Sequence, residues 1–251
     1  MEFYKIKRLF ANIIFPPRCI GCNTLIDIEK NAVGADCLCS ECRVKYDMAK
    51  AKVCSDCNRS VCTCVCGIEM RGTHIDALPK VVFYSPDNEM SIESRIIYAI
   101  KHKNDIRYAN FMADELAVSL SAYLLKEGID PTACIFTFVP RRSSAVCEDG
   151  FDQAERLAKC LCEIIGNKRS LKNLFVRRGG KEQKKLNARE RKSNIKSSIS
   201  LKRNTAKQIA GKTVIIIDDL VTTGATLSVA KSILLSSGAH RVICASVGKT
   251  V

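Results

Sequence analysis

Val214-Ile215-Ile216-Ile217 runs without interruption into Asp218-Asp219, and Leu220-Val221 leads from there into Thr222-Thr223-Gly224-Ala225-Thr226. An unbroken β-branched run of this kind reads as a strand buried on both faces, the habit of parallel sheets flanked by helices. Such a strand delivers both carboxylates to its C-terminal end, where open α/β sheets bind ligands. Small hydroxylated residues follow, with a glycine that lets the backbone turn tightly, and a helix is expected over about 225–237. Its N–H groups and the positive end of its dipole then face one point, which makes a phosphate cradle of Thr222, Thr223, Gly224, Ala225 and Thr226. Asp218 and Asp219 beside it can accept hydrogen bonds from vicinal hydroxyls, and a ribose 5-phosphate carries both parts at that separation. The plain alternative is a strand that merely ends in a capped turn.

The surrounding pattern fits such a strand. Strands are expected over 77–85, 133–139, 213–217 and 241–247, with helices over 91–102, 108–126 and 151–165 between them. Ile92, Ile96, Ile97 and Ile100 fall at helical spacing, and Gly128, Pro131 and Gly166 punctuate helix ends. The alternation implies an α/β domain with a parallel sheet over residues 71–251, its boundary falling near 67–77. A short helix over 1–18 is expected to stop at Pro16-Pro17.

Residues 19–66 are of a different kind. They hold 10 of the 15 cysteines and few large apolar side chains, so this stretch needs a staple to fold. The amphipathic N-terminus lacks the apolar core of a signal peptide, and no apolar run approaches the roughly 20 residues that span a bilayer. A cytoplasmic, reducing location follows as an expectation, and there clustered cysteine pairs read as metal ligands rather than disulfides. Cys19-x2-Cys22 and Cys39-x2-Cys42 make two knuckles suited to tetrahedral zinc, with Cys37 as a possible competitor. Cys54-x2-Cys57 is a third knuckle, completed by Cys62 and Cys64, with Cys66 able to replace either. The scattered cysteines read as small buried hydrophobes, and His74, His102 and His240 form no cluster.

Charge is localised as well. Residues 168–212 carry 16 basic and 2 acidic side chains, which accounts for the whole net charge of +14 and leaves the rest neutral. One strongly basic segment suits a polyanion such as phosphate, pyrophosphate or nucleic acid, although a solvated loop has the same composition.

The strand, acid pair and threonine-rich turn resemble the phosphoribosyl pyrophosphate (PRPP) signature of type I phosphoribosyltransferases. With the cysteine knuckles, the chain from about Phe15 onward resembles the ComF family, a zinc-ribbon module followed by a type I phosphoribosyltransferase-like domain. Four further segments carry the likeness: Phe15-Pro16-Pro17-Arg18-Cys19, Tyr98-Ala99-Ile100-Lys101, Val139-Pro140 with Gly150-Phe151-Asp152-Gln153, and Gln183, Leu186, Glu190, Arg191 and Asn194. The chain departs from the family in having Phe138 before Val139-Pro140 and Asp149 in place of an arginine before Gly150-Phe151. The resemblance implies PRPP bound with Mg²⁺, Zn²⁺ in the module, and Arg141, Arg142, Arg191 and Lys101 around the pyrophosphate and its closing loop. It also implies a role in single-stranded DNA uptake during natural transformation, alongside other DNA-uptake proteins. A phosphoribosyltransferase acting on an unidentified base or amine, and a PRPP sensor without turnover, are the other two readings. The acceptor is not legible in the residues.

Overall fold

The computed structural model describes residues 16–26, 37–70, 73–177 and 198–251. Most of the expected 1–18 helix and the Gln183, Leu186, Glu190, Arg191 and Asn194 motif lie outside the described residues.

Chain order begins with a helix that the cysteine pattern conceals, α1 (Ser40–Ala51). Its signal is present nonetheless: Cys42, Tyr46 and Ala49 repeat at four and three residues and are the side chains it buries. A short antiparallel hairpin, β1 (Cys66–Met70) with β2 (Thr73–Ala77), occupies the expected boundary region. Next come β3 (Lys80–Tyr84), α2 (Ile92–His102), α3 (Ile106–Lys126) and β4 (Ile135–Phe138), each close to its expected place. Caps define the helix starts: Ser91 accepts from the Ser94 amide ahead of α2, and Asp105 accepts from the Arg107 amide ahead of α3.

A helix without sequence warning follows, α4 (Ser143–Asp149), which buries no side chain and so leaves no apolar period to read. The remainder is α5 (Gln153–Ile164), β5 (Phe175–Arg177), β6 (Ile199–Leu201), α6 (Thr205–Ile209), β7 (Thr213–Val221), α7 (Ala225–Ser236) and β8 (Arg241–Thr250). Strands β5 and β6 pair antiparallel across a long sequence gap, which no local pattern announces.

Four strands form the parallel sheet, in the order β3-β8-β7-β4. Strand β7 is longer than the apolar run. Its ladder with β8 continues through Asp218 opposite Ser246 and Val221 opposite Lys249, whereas β4 stops at Phe138 opposite Ile217. The acid pair therefore lies within a paired strand and projects past the end of its other neighbour.

The alternation along β7 divides the core. Ile215 and Ile217 face a layer containing Ile96, Met112, Leu116 and Leu157 from α2, α3 and α5. Val214 and Ile216 face Leu227, Ala230 and Leu234 of α7, together with Ile68, Ile75 and Phe175 of the hairpins. The cysteine-rich module is not separate from the first layer: Cys19, Ile20, Leu38, Cys42, Tyr46 and Ala49 belong to the same buried cluster. The ion pairs Lys50–Glu115 and Lys52–Glu93 fasten the end of α1 to α3 and α2. No helix among the described residues is long and apolar enough to cross a membrane.

Candidate functional site

Two of the three C-x2-C knuckles, Cys19-x2-Cys22 and Cys54-x2-Cys57, are built by the same backbone device. Asn23 and Asn58, one residue past Cys22 and Cys57, take the left-handed conformation at φ 64° and 53°, which asparagine tolerates better than most side chains. The flanks close as isolated antiparallel bridges, Arg18 with Leu25 and Val53 with Ser60. Within the first knuckle Gly21 is required by space, because a Cβ there would stand 2.9 Å from Cys42 Sγ. Cys39 caps α1 and Cys42 sits in its first turn, so the partial positive charge of the helix N-terminus favours thiolates at this point.

The sulfurs of Cys19, Cys22, Cys39 and Cys42 lie within 4.8 Å of one another. Ligands about 2.3 Å from a tetrahedral zinc stand roughly 3.8 Å apart, and Cys22 and Cys39 are 3.6 Å apart at sulfur. At Cys22 burial pushes the thiol up, but hydrogen bonds from Thr24 and from the thiols of Cys19 and Cys39 bring it down to about 6. Cys37 is outside the group and donates to the Arg107 carbonyl at 3.4 Å.

A second group, also within 4.8 Å, is Cys54, Cys57, Cys64 and Cys66. Here the structure departs from the expected choice of Cys62 with Cys64. The Cys64 amide donates to the Ser60 carbonyl at 2.8 Å, so residues 60–64 form a turn that aims Cys62 at Ser60 Oγ, 3.4 Å away. Cys64 closes that turn and Cys66 opens β1 two residues on, and their sulfurs, not that of Cys62, join those of Cys54 and Cys57. Burial and the neighbouring thiols of Cys57 and Cys64 push Cys66 up to about 12. Crowded sulfurs of this kind are relieved by a cation, and both groups fit a zinc ion in donor type, number and spacing.

The other constellation stands at the C-terminal ends of β4 and β7. Asp218 Oδ1 accepts from the Asp219 amide at 2.9 Å, and Asp219 Oδ1 from the Leu220 amide at 2.8 Å. Burial, then the charge of Asp219, raise Asp218 well above the ordinary carboxylate range, while Lys101 at the end of α2 pulls it back. Thr222 and Thr223 are exposed, and Gly224 turns the chain at φ 69° into α7, which no side chain caps at Gly224. The Ala225 amide points back to Thr223 Oγ1 at 3.4 Å, so the turn and the helix start form one concave rim with Thr226 in the first turn.

Across from this rim runs the chain after β4. Arg141 donates its amide to Asp152 at 2.7 Å and its guanidinium to Asp149 at 2.6 Å, and Asp149 also meets His102 Nδ1 at 3.2 Å. Asp149, the acid that stands where an arginine was expected, therefore occupies Arg141. Gln153, 1% exposed, donates to the Lys101 carbonyl, and Asp152 caps α5 through the Glu155 amide. These two residues thus hold the loop against the end of α2. Arg142 is half-buried at the start of α4.

One basic residue here is not singled out by the sequence. Arg177, the last residue of β5, donates to the Pro140 carbonyl at 3.4 Å, and its Nε is buried without a partner among the described residues. Burial and Arg142 lower its pKa, while Asp218 and Asp152 oppose that shift. Lys101 and Arg177 thus both act on Asp218, and Arg142 stands near Arg177. Only the pairing of β5 with β6 brings Arg177 there.

Comparison with known families matches residues 169–249 to the phosphoribosyl transferase domain model. That stretch, about a third of the chain, is similar to a phosphoribosyl transferase domain. The matched stretch includes β7, the acid pair, the threonine turn and α7, the parts that make the rim. The chain is also similar to the DNA utilization protein YhgH of Escherichia coli strain K12, with 26% identity over 82% of this chain and 93% of that protein. The Shigella flexneri protein of the same name matches to the same extent, and that of Salmonella typhi is 30% identical over 51% of this chain and 58% of its own length. Together with the cysteine groups, these matches support the likeness to the ComF family.

Proposed function

We propose that the phosphoribosyl transferase domain binds PRPP, that the two four-cysteine groups bind zinc, and that the protein handles single-stranded DNA during its uptake. The observation that carries the first part is the joining of Asp218-Asp219 to the Thr222–Thr226 rim, opposite the cations Lys101, Arg142 and Arg177. The carboxylates suit ribose hydroxyls, the rim suits the 5-phosphate, and the cations suit pyrophosphate by charge-assisted hydrogen bonds. Mg²⁺ arriving with PRPP would neutralise pyrophosphate charge, and Asp218, disfavoured as an anion by Asp219, gains from a nearby cation. The similarity to DNA utilization proteins supports a DNA role.

Titration calorimetry with PRPP and Mg²⁺ tests the ligand. Binding is expected for wild type, weakened at least about a hundredfold in Asp218→Asn with Asp219→Asn, since each lost charge-assisted bond costs about 1.5–3 kcal/mol. Unchanged affinity in the double variant rejects the assignment. The capture of Arg141 by Asp149 supports a second reading, a PRPP sensor without turnover. Release of pyrophosphate from PRPP in a metabolite mixture would reject that second reading alone.

A further inference from the structure

Lys80 opens β3 and is wholly buried. Its ammonium donates to the carbonyls of Cys64, Cys66 and Leu78 at 3.1, 3.2 and 3.1 Å, and to Cys64 Sγ at 3.3 Å. The Phe83 ring covers it at 5.8 Å from the centroid. No carboxylate pairs with it among the described residues. A buried ammonium is costly unless a counter-charge and full hydrogen bonding offset the loss of water. Three of its four acceptors belong to Cys64 and Cys66, which supply two of the four sulfurs of the second group. Four thiolates around one divalent cation carry two excess negative charges, so a loaded site provides the counter-charge that the carbonyls alone lack.

We propose that Lys80 is a positioning residue for the second four-cysteine metal site, clasping Cys64 and Cys66 in ligating geometry and tying that site to the first strand of the sheet. The inference rests on the zinc reading above and deepens it. Partners behind metal ligands usually orient them and tune the ligand atom. Lys80 does both: it grips the backbone of the two ligands and donates to one of the sulfurs.

The test uses the full-length, zinc-loaded protein, with Lys80→Met and Lys80→Arg beside wild type, in competition with a chromophoric chelator. Lys80→Met should release one ion at about ten- to a hundredfold lower chelator concentration, while the other ion is held as in wild type. Lys80→Arg should recover part of the loss because it keeps the charge and donors. In cobalt-substituted protein, the sulfur-to-metal charge-transfer absorption of the weakened site should move to longer wavelength, because the donor to Cys64 sulfur is gone; lost packing alone would not move it. Should the variants fail to fold, ¹⁵N-lysine-labelled wild type serves instead. A slowly exchanging Lys80 ammonium signal should vanish when the ion of the second group alone is removed, and its persistence overturns the proposal. Unchanged release with an unmoved band, or equal weakening of both sites, also overturns it and leaves the zinc reading standing. Fewer than two zinc ions on wild type rejects the zinc reading, and this proposal with it.

Discussion

Asp218, in the candidate site, carries a charge that the fold itself disfavours. Burial and the adjacent Asp219 disfavour its charge, so its folded pKa lies above its unfolded value. The folded chain then binds the proton more tightly than the unfolded one. This contribution is fully present below the ordinary value of 3.8 and is lost as pH rises through the raised one. Asp218→Asn removes the penalty. The ligand-free variant should melt higher than wild type at neutral pH, by about 2–4 °C for each kcal/mol of penalty removed in a chain of this size. The two should converge as pH falls toward the carboxylate range. Scanning calorimetry across pH checks this, and a variant that melts lower at neutral pH contradicts it. Asp76, Asp105 and Asp149, lowered by Lys231, Arg107 and Arg141, shift stability the other way, but equally in both proteins. Asp218 and Asp219 were legible from their place after an apolar run. Arg177 was not, since nothing around it in the chain distinguishes it from the other basic residues of 168–212.

At the scale of elements, the knuckles were readable because a C-x2-C turn is local, while the completion of the second group depended on the turn at 60–64. Alternation treats Cys62, Cys64 and Cys66 as equivalent, and one i to i−4 hydrogen bond makes them different. Cys66→Ser should therefore reduce bound zinc from two ions to one, and Cys62→Ser should leave both, in line with the two sulfur groups. Elemental analysis of protein purified without chelator decides it; the reverse pattern restores Cys62 as the ligand. Helix α1 went unread for a related reason. Its buried side chains include a cysteine already assigned to metal, so Cys42, Tyr46 and Ala49 did not register as an apolar stripe.

For the molecule as a whole, the two halves share one core. Tyr46 packs on Phe111 with ring centroids 5.6 Å apart, and the cysteine-rich module buries the same layer as α2 and α3. Stripping the metal should therefore lower the melting temperature of the entire chain, in a single calorimetric transition, because binding energy to the folded state is folding energy. Two transitions, with the sheet unaffected, would restore two independent units. The net charge of +14 resides in residues 168–212, so single-stranded DNA binding should weaken steeply with salt through counterion release. Changing Lys184, Lys185, Arg189 and Lys192 to Gln should lessen the slope of log K against log salt by up to about 3, at about 0.7 per contact. An unchanged slope, measured by titration of a labelled oligonucleotide, removes the segment from DNA contact.

The sequence by itself determined the parallel α/β class, the strand with its acid pair and threonine-rich turn, and the knuckles, because each depends on hydrogen bonds and periodicities within a few residues. Only the tertiary structure decided that the module and the sheet have a common core, that Cys66 rather than Cys62 completes the second group, that Asp149 holds Arg141, and that Arg177 and Lys80 sit where they do. These last choices are made by packing between segments distant in the chain, where burial sets the cost of a charge and the nearest available partner sets its role.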